Sequence, residues 1–231
     1  MNNLPKKEIE PIAHIHTPYK DKFGIPRQSG MVDNIVSEIV FKKKYRSLDA
    51  VRGLKEFSHI WVLWEFTGFN SDKWSPTVRP PKLGGNKRMG VFATRSPNRP
   101  NSIGLSSLKL IEIDTSSTVA PVLKVCGADM LDGTAIYDVK PYIPFTDSHP
   151  DASSGFAGEH INNYLNVQMK KEFQEKFDEE QIKAVIKLLS LDPRPSYQDD
   201  SERIYGVTLF GYNVKFRVIE KDLIVTDIEQ D

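Results

Sequence analysis

The residues best suited to chemistry fall in three short stretches. The first is residues 90–105, Gly90-Val-Phe-Ala-Thr-Arg-Ser-Pro-Asn-Arg-Pro-Asn-Ser-Ile-Gly-Leu. It places Arg95 and Arg99 in a loop where Pro97 and Pro100 fix φ and remove backbone donors, so the arginines are held on a stiff frame. A guanidinium presented this way suits a carboxylate or phosphate. The second stretch is the loop 19–30, where Arg27, Gln28 and Ser29 offer donors in a row between Gly24 and Gly30. It is a candidate second wall for the same ligand. The third is the turn at Asp132-Gly133, with Asp129, Thr134 and Asp138 around it. Each has a plain reading as well: a rigid connection with solvated arginines, an ordinary loop, and a simple hairpin turn between two strands.

Charge distribution supports an anionic ligand. Lys plus Arg and Asp plus Glu each number 31, so no global field draws the chain toward nucleic acid or membrane. Yet Lys73, Arg79, Lys82, Lys87, Arg88, Arg95, Arg99 and Lys109 follow one another with no intervening Asp or Glu. Phosphate is the first candidate for such a block; a basic surface neutralised by acids from elsewhere in the fold is the alternative. Further on, Arg194, Tyr197, Arg203, Tyr205, Lys215 and Arg217 interleave cations with aromatic rings, a pattern that suits RNA and equally an exposed small sheet.

These residues need elements to position them. Residues 12–16, 32–41, 57–66, 108–113 and 119–127 read as strands from their β-branched and aromatic content, and the run 90–105 opens with another apolar strand at Val91-Phe-Ala. His59, near the start of the most strand-like run, is most simply a packed residue. His14 and His16 share one strand face, but no nearby Cys or carboxylate completes a metal set, so no metal is expected. Ser47 and Gly53 bracket a short helix. Residues 146–159 have linker composition, and a boundary is placed there, giving domains 1–150 and 151–231. Beyond it, 164–169 reads as a strand and 179–190 as an amphipathic helix with Asp178 and Gln181 as a capping box. Strands at 204–209, 214–219 and 223–228 close the chain.

Several classes are excluded or disfavoured. Gly85 and Gly90 have Walker-like spacing, but Val91 and Phe92 stand where Lys and Ser or Thr are required. No G-x-G-x-x-G occurs, which argues against a Rossmann site. Cys126 is the single cysteine, so no intrachain disulfide forms, and it reads as a small buried hydrophobe. Residues 1–10 are polar and no apolar run approaches a membrane span, so no membrane partner is expected and the cytoplasm is the expected compartment.

Pro26-Arg-Gln-Ser-Gly, Ala50-Val-Arg-Gly-Leu, Phe57-Ser-His-Ile-Trp, Trp74-Ser-Pro-Thr-Val-Arg-Pro-Pro-Lys-Leu-Gly-Gly-Asn, Gly90-Val-Phe-Ala-Thr-Arg-Ser, Arg99-Pro-Asn-Ser-Ile-Gly-Leu, Leu131-Asp-Gly-Thr and Asp138-Val-Lys-Pro-Tyr together resemble the TsaA-like family, whose characterised members are tRNA methyltransferases of the TrmO type. Asp192-Pro-Arg-Pro-Ser-Tyr and the final strands resemble that group's C-terminal domain. The resemblance implies a mainly β fold: a small β-barrel domain that binds S-adenosylmethionine without a Rossmann sheet, followed by a smaller α+β domain that contacts tRNA. It implies a homodimer with the cofactor near the subunit interface, and N6-methylation of threonylcarbamoyladenosine beside the anticodon, at position 37. Carried over motif by motif, the cofactor site would comprise Gln28, Ser29, Gly30, His59, Arg95, Leu105, Leu131, Asp132, Gly133 and Thr134. Arg99, Arg194, Tyr197, Lys215 and Arg217 are the candidates to face tRNA. The catalytic residue stays open: Asp132, Asp138 or His59 could accept the proton that leaves N6. A non-catalytic RNA-binding module and a same-fold methyltransferase with another substrate are the competing readings.

Overall fold

The computed structural model describes residues 7–68, 74–80, 83, 87–160, 164–194 and 200–231. Its first half is a closed barrel. The strands, in chain order, are β1 (Ala13–His16), β2 (Val36–Phe41), β3 (His59–Glu65), β4 (Thr77–Val78), β5 (Met89–Gly90), β6 (Ile103–Asp114), β7 (Val122–Cys126) and β8 (Ala135–Pro141). Six of these close antiparallel in the order β1-β2-β7-β6-β3-β8, while β4 and β5 form a separate two-stranded ribbon. Closure leaves no free edge in the barrel. Alternation along each strand sends Ala13, Ile15, Ile39, Ile60, Val62, Leu108, Leu123, Val125 and Ile136 inward, all fully buried or nearly so. Gly104 makes room in this interior: a Cβ there would lie 2.3 Å from Trp64 Cε2.

After the one-turn helix α1 (Pro144–Asp147) the chain builds a second core. Strand β9 (Asn166–Gln168), the short helix α2 (Lys171–Gln174), helix α3 (Glu179–Ser190), and strands β10 (Tyr205–Leu209), β11 (Tyr212–Ile219) and β12 (Asp222–Gln230) form it. The sheet order is β10-β11-β12-β9, with β9 parallel to β12. Helix α3 buries Ala184, Val185, Leu188 and Leu189 against the sheet, and its capping box is present on both sides: Asp178 accepts from the Gln181 amide and Gln181 accepts from the Asp178 amide.

The two cores are joined by the loop 17–35. Tyr19, Val32 and Ile35 of this loop sit in the second hydrophobic cluster, among Leu188, Val207 and Phe216. Gly24, at φ 89°, approaches so closely that a Cβ would lie 2.1 Å from Val207 Cγ2. Arg27 donates to the carbonyls of Asp192 and Arg194 at 3.0 and 3.3 Å, and Asn34 to that of Glu180 at 2.8 Å.

Three expectations change. Residues 91–93 form a 3-10 turn, not a strand; Thr94 closes it through its amide and hydroxyl on the Val91 carbonyl, so the segment satisfies itself locally and leaves Phe92 74% exposed. Between Ser47 and Gly53 there is a 3-10 turn over Leu48–Val51, with no side-chain cap from Ser47, because so short a segment cannot offset helix nucleation. The strands flanking Asp132-Gly133 are not a hairpin. Strand β7 pairs with β2 and β6, and β8 with β3 and β1, because barrel closure brings β1 against β8. The turn binds β1 instead: Gly133 N–H donates to Ile15 O at 2.9 Å, and Ile15 N–H to Thr134 O at 3.0 Å.

Candidate active site

One mouth of the barrel gathers the ends of β1, β3 and β7 and the starts of β2, β6 and β8, as the strand registers require. The loop 17–35, the loop after residue 93 and the turn 131–134 all meet there. Arg95 Nη1 donates to Gln28 Oε1, so two stretches 67 residues apart form one wall. Gly30 N–H donates to Gly127 O at 2.9 Å, which lays the strip Gln28, Ser29, Gly30 along the segment leading into the turn.

Behind that wall lies a carboxylate that the sequence placed beside the turn but gave no role in the site. Asp129 accepts from Ser106 Oγ at 2.6 Å, and Ser106 Oγ accepts from Trp64 Nε1 at 2.9 Å. Burial pushes the Asp129 carboxyl above the usual carboxylate range, against the opposing pull of Ser106, the Ser29 amide and the Arg95 charge. Tyr19, buried with its hydroxyl making no hydrogen bond, is pushed far upward by burial and by Asp129. The signal for this network was a serine at an inward position of β6, between Gly104 and Leu108. Its meaning depended on the Trp64 and Asp129 side chains that meet it.

The turn is already engaged in holding the fold. Asp132 accepts from Lys20 Nζ at 2.5 Å and from Thr17 N–H at 3.1 Å, with His16 Nδ1 at 3.4 Å. Burial raises its carboxyl, but Lys20, the Thr17 amide and the His16 charge together outweigh this and hold it below the usual range. The amides of Asp132, Gly133 and Thr134 donate to Tyr19, Ile15 and Leu131. Thr134 Oγ1 also donates to Leu131 O, at 2.7 Å. Among the described residues no donor reaches the carbonyls of Asp132 and Gly133. These are the polar backbone groups the turn leaves for a ligand.

Two candidates lie apart from the mouth within one chain. Leu105 is 55% exposed on the outer wall formed by β3 and β6, opposite Leu63. His59 begins β3, five residues from Trp64 and therefore roughly 16 Å along the strand. It is paired with Ser58 Oγ at 2.9 Å and stands edge-on to the Tyr142 ring. Of the other proton-acceptor candidates, Asp138 is ion-paired with Lys140 at 2.6 Å and takes the Val139 amide.

The cations expected to face tRNA are largely committed. Arg99 Nη1 donates to Thr94 O and Ser96 O at 3.0 and 3.3 Å, bracing its own loop. Arg194 grips Asp192 with two bonds of 2.9 Å, and Lys215 is paired with Glu229. Arg217 lies on β11 opposite Ile224, with its Nε buried and making no hydrogen bond. Tyr197 lies outside the described residues.

Both halves of the chain match known proteins. The family described as tRNA-methyltransferase O N-terminal domain matches residues 14–148, and the TrmO C-terminal domain matches residues 162–231. The tRNA (adenine(37)-N6)-methyltransferase of Escherichia coli K12 is 40% identical over 230 residues, covering 96% of this chain and 97% of the relative. A Pseudomonas aeruginosa protein, RcsF, named for S-adenosylmethionine-dependent methyl transfer, is 34% identical over 94% of each chain. A crystal structure of TrmO from P. aeruginosa superposes on the whole of both chains with a TM-score of 0.78 at 27% identity.

Proposed function

The chain belongs to the tRNA-methyltransferase O family, and from that premise we propose that the mouth of its barrel is where methyl transfer takes place. The protein is an S-adenosylmethionine-dependent tRNA methyltransferase acting at N6 of adenine 37. The observation that carries the assignment of the site is the Arg95–Gln28 bond beside the half-buried Asp129. It joins a fixed cation, a polar amide and a carboxylate at the point where all three candidate stretches converge.

The residues present fit the cofactor. Its carboxylate suits the exposed Arg95 guanidinium, by a charge-assisted bond. Its ammonium and hydroxyl groups suit the carbonyls of Asp132 and Gly133, which accept nothing from the described residues. When bound, S-adenosylmethionine supplies an electrophilic methyl on a sulfonium centre, which requires no protein nucleophile. The chain's own task is then alignment. Asp129 anchors the mouth by holding Ser106, favours the Ser29 amide beside it and balances Arg95. Leu105 and His59, on the β3–β6 wall, reach this site from a second copy of the chain; the same wall and its neighbouring loop expose Ile103 and Phe92. The assembly proposed is therefore a homodimer. The acceptor proposed is the threonylcarbamoyl-modified adenosine, whose N6 carries a single proton.

Calorimetry with S-adenosylmethionine tests the mouth, with Gln28→Ala and Arg95→Ala expected to lower affinity and Arg194→Ala to leave it unchanged. A radiolabelled methyl-transfer assay, with tRNA carrying or lacking the threonylcarbamoyl group, tests the acceptor. Equal transfer to both tRNAs would overturn that part of the proposal.

A further inference from the structure

The wall of the barrel opposite β3 and β6 carries a second basic feature. Strands β1 and β2 present His14 and His16 on their outer face, with His14 opposite Val40. The turn after β2 brings Lys42 and Arg46 over the same face, and together with Gly133 these residues line an open basin of about 360 Å³. No carboxylate lines it among the described residues. Arg46 uses only its Nε, on Phe41 O at 2.8 Å. Neither Lys42 nor Arg46 forms an ion pair among the described residues, and the His14 ring makes no hydrogen bond there. Of the nearest acids, Glu10 holds Lys44 and Tyr45, Asp132 holds Lys20 and lies 3.4 Å from His16 Nδ1, and Glu38 stands opposite His16 on β1 and Lys124 on β7, at the end of the basin away from Lys42 and Arg46.

This is the reverse of the C-terminal domain, where Arg194 and Lys215 are each bound to a carboxylate of their own neighbourhood. A cation already paired loses that pairing when it takes a phosphate; an unpaired one does not. We propose that the basin is a phosphodiester site in which Lys42 and Arg46, beside His14, hold the backbone of the substrate tRNA, with His16 at the edge that faces Asp132. The proposal rests on the tRNA methyltransferase reading above. Position supports it: Gly133 belongs both to the basin and to the turn at the mouth. An RNA strand with its target base at the mouth therefore lays a neighbouring phosphate over β1 and β2. The contact is to backbone and carries no base preference.

The test uses the full chain and tRNA purified from cells lacking this methylation. Binding is measured across a salt series for wild type, for Lys42→Gln with Arg46→Gln, and for Val40→Glu, which sets a carboxylate in the basin. Affinity for S-adenosylmethionine is measured in parallel. The double variant is expected to reduce the slope of log K against log salt by about two, one for each phosphate no longer neutralised. Val40→Glu is expected to weaken tRNA binding without touching a cation, and both variants to retain wild-type cofactor affinity. An unchanged slope and affinity in both would overturn the proposal. Inorganic phosphate separates a small-anion site from an RNA contact: if phosphate binds wild type and not the double variant, while their tRNA salt slopes coincide, the basin holds free anions and the proposal fails. Wild type that binds cofactor but no tRNA would instead overturn the functional reading on which it rests.

Discussion

The barrel mouth and the C-terminal domain both carry arginines in aromatic and polar surroundings, yet they treat charge in opposite ways. At the mouth, Arg95 is bonded to the neutral Gln28, and the carboxylate it attracts, Asp129, is half-buried and held by Ser106. In the C-terminal half, Arg194 is clasped by Asp192 and its side chain is only 11% exposed. The first arrangement leaves a cation available to a ligand, and the second uses one to fasten a chain turn. A basic residue thus indicates a binding site only when the fold has not already supplied its counter-charge.

The segment joining the two regions is where the contrast is most easily broken. Gly24→Ala drives a methyl into Val207 and forces a positive φ on a residue with a Cβ. Overpacking costs about 1–3 kcal/mol and the left-handed backbone about 1–2 kcal/mol more. Thermal unfolding should show a larger loss than for any other variant below, and cofactor affinity should fall with it, because the same loop carries Gln28. Unaltered stability would mean that the loop does not couple the two cores.

Arg95→Ala and Arg194→Ala sharpen the comparison directly. Removing Arg95 should weaken S-adenosylmethionine binding by about 1.5–3 kcal/mol, the range for hydrogen bonds to a charged group. Removing Arg194 should lower the unfolding midpoint with no change in cofactor affinity. If the two variants behaved alike in calorimetry, the distinction between available and committed arginines would fail.

Asp129→Asn probes the half-buried carboxylate by pH. The folded protein binds the Asp129 proton more tightly than the unfolded chain does, because burial raises the carboxyl, with Ser106, the Ser29 amide and Arg95 opposing. Wild-type stability linked to this group is therefore fully present below the unfolded value, about 3.9, and declines as pH rises through the raised folded value. Asparagine cannot ionise, so the variant should gain stability relative to wild type across that window in urea titrations. Parallel pH profiles would show that the titration of Asp129 is not linked to folding. The smallest effect is expected at Lys215→Ala, which removes a partly exposed pair with Glu229 and should cost no more than about 1 kcal/mol in the same titrations.

Much of the architecture is legible in local pattern. The aromatic and β-branched density of residues 57–66 marks β3, the weak alternation of 32–41 marks β2 but four residues too early, and Asp178 with Gln181 marks the start of α3, because a cap and its partner lie three residues apart. The mouth was legible in part: Gln28, Arg95 and Asp132 stand in recognisable stretches, whereas Asp129, Ser106 and Trp64 show no spacing that announces a network. Val91-Phe-Ala shows the limit at short range, since three apolar residues fit a strand or a turn equally and the hydroxyl of Thr94 settles it.

By itself the sequence determined the positions of most strands and the identity of the residues able to hold an anion, because these follow from side-chain type and pattern within a few residues; the kind of fold was implied by the resemblance of its motifs to a known family. Only the tertiary structure decided which cations stay available. Gln28 meets Arg95 across 67 positions and Arg27 meets Asp192 across 165. Whether a charge finds its counter-charge inside the fold depends on which strands barrel closure brings together, and that is a property of the whole chain.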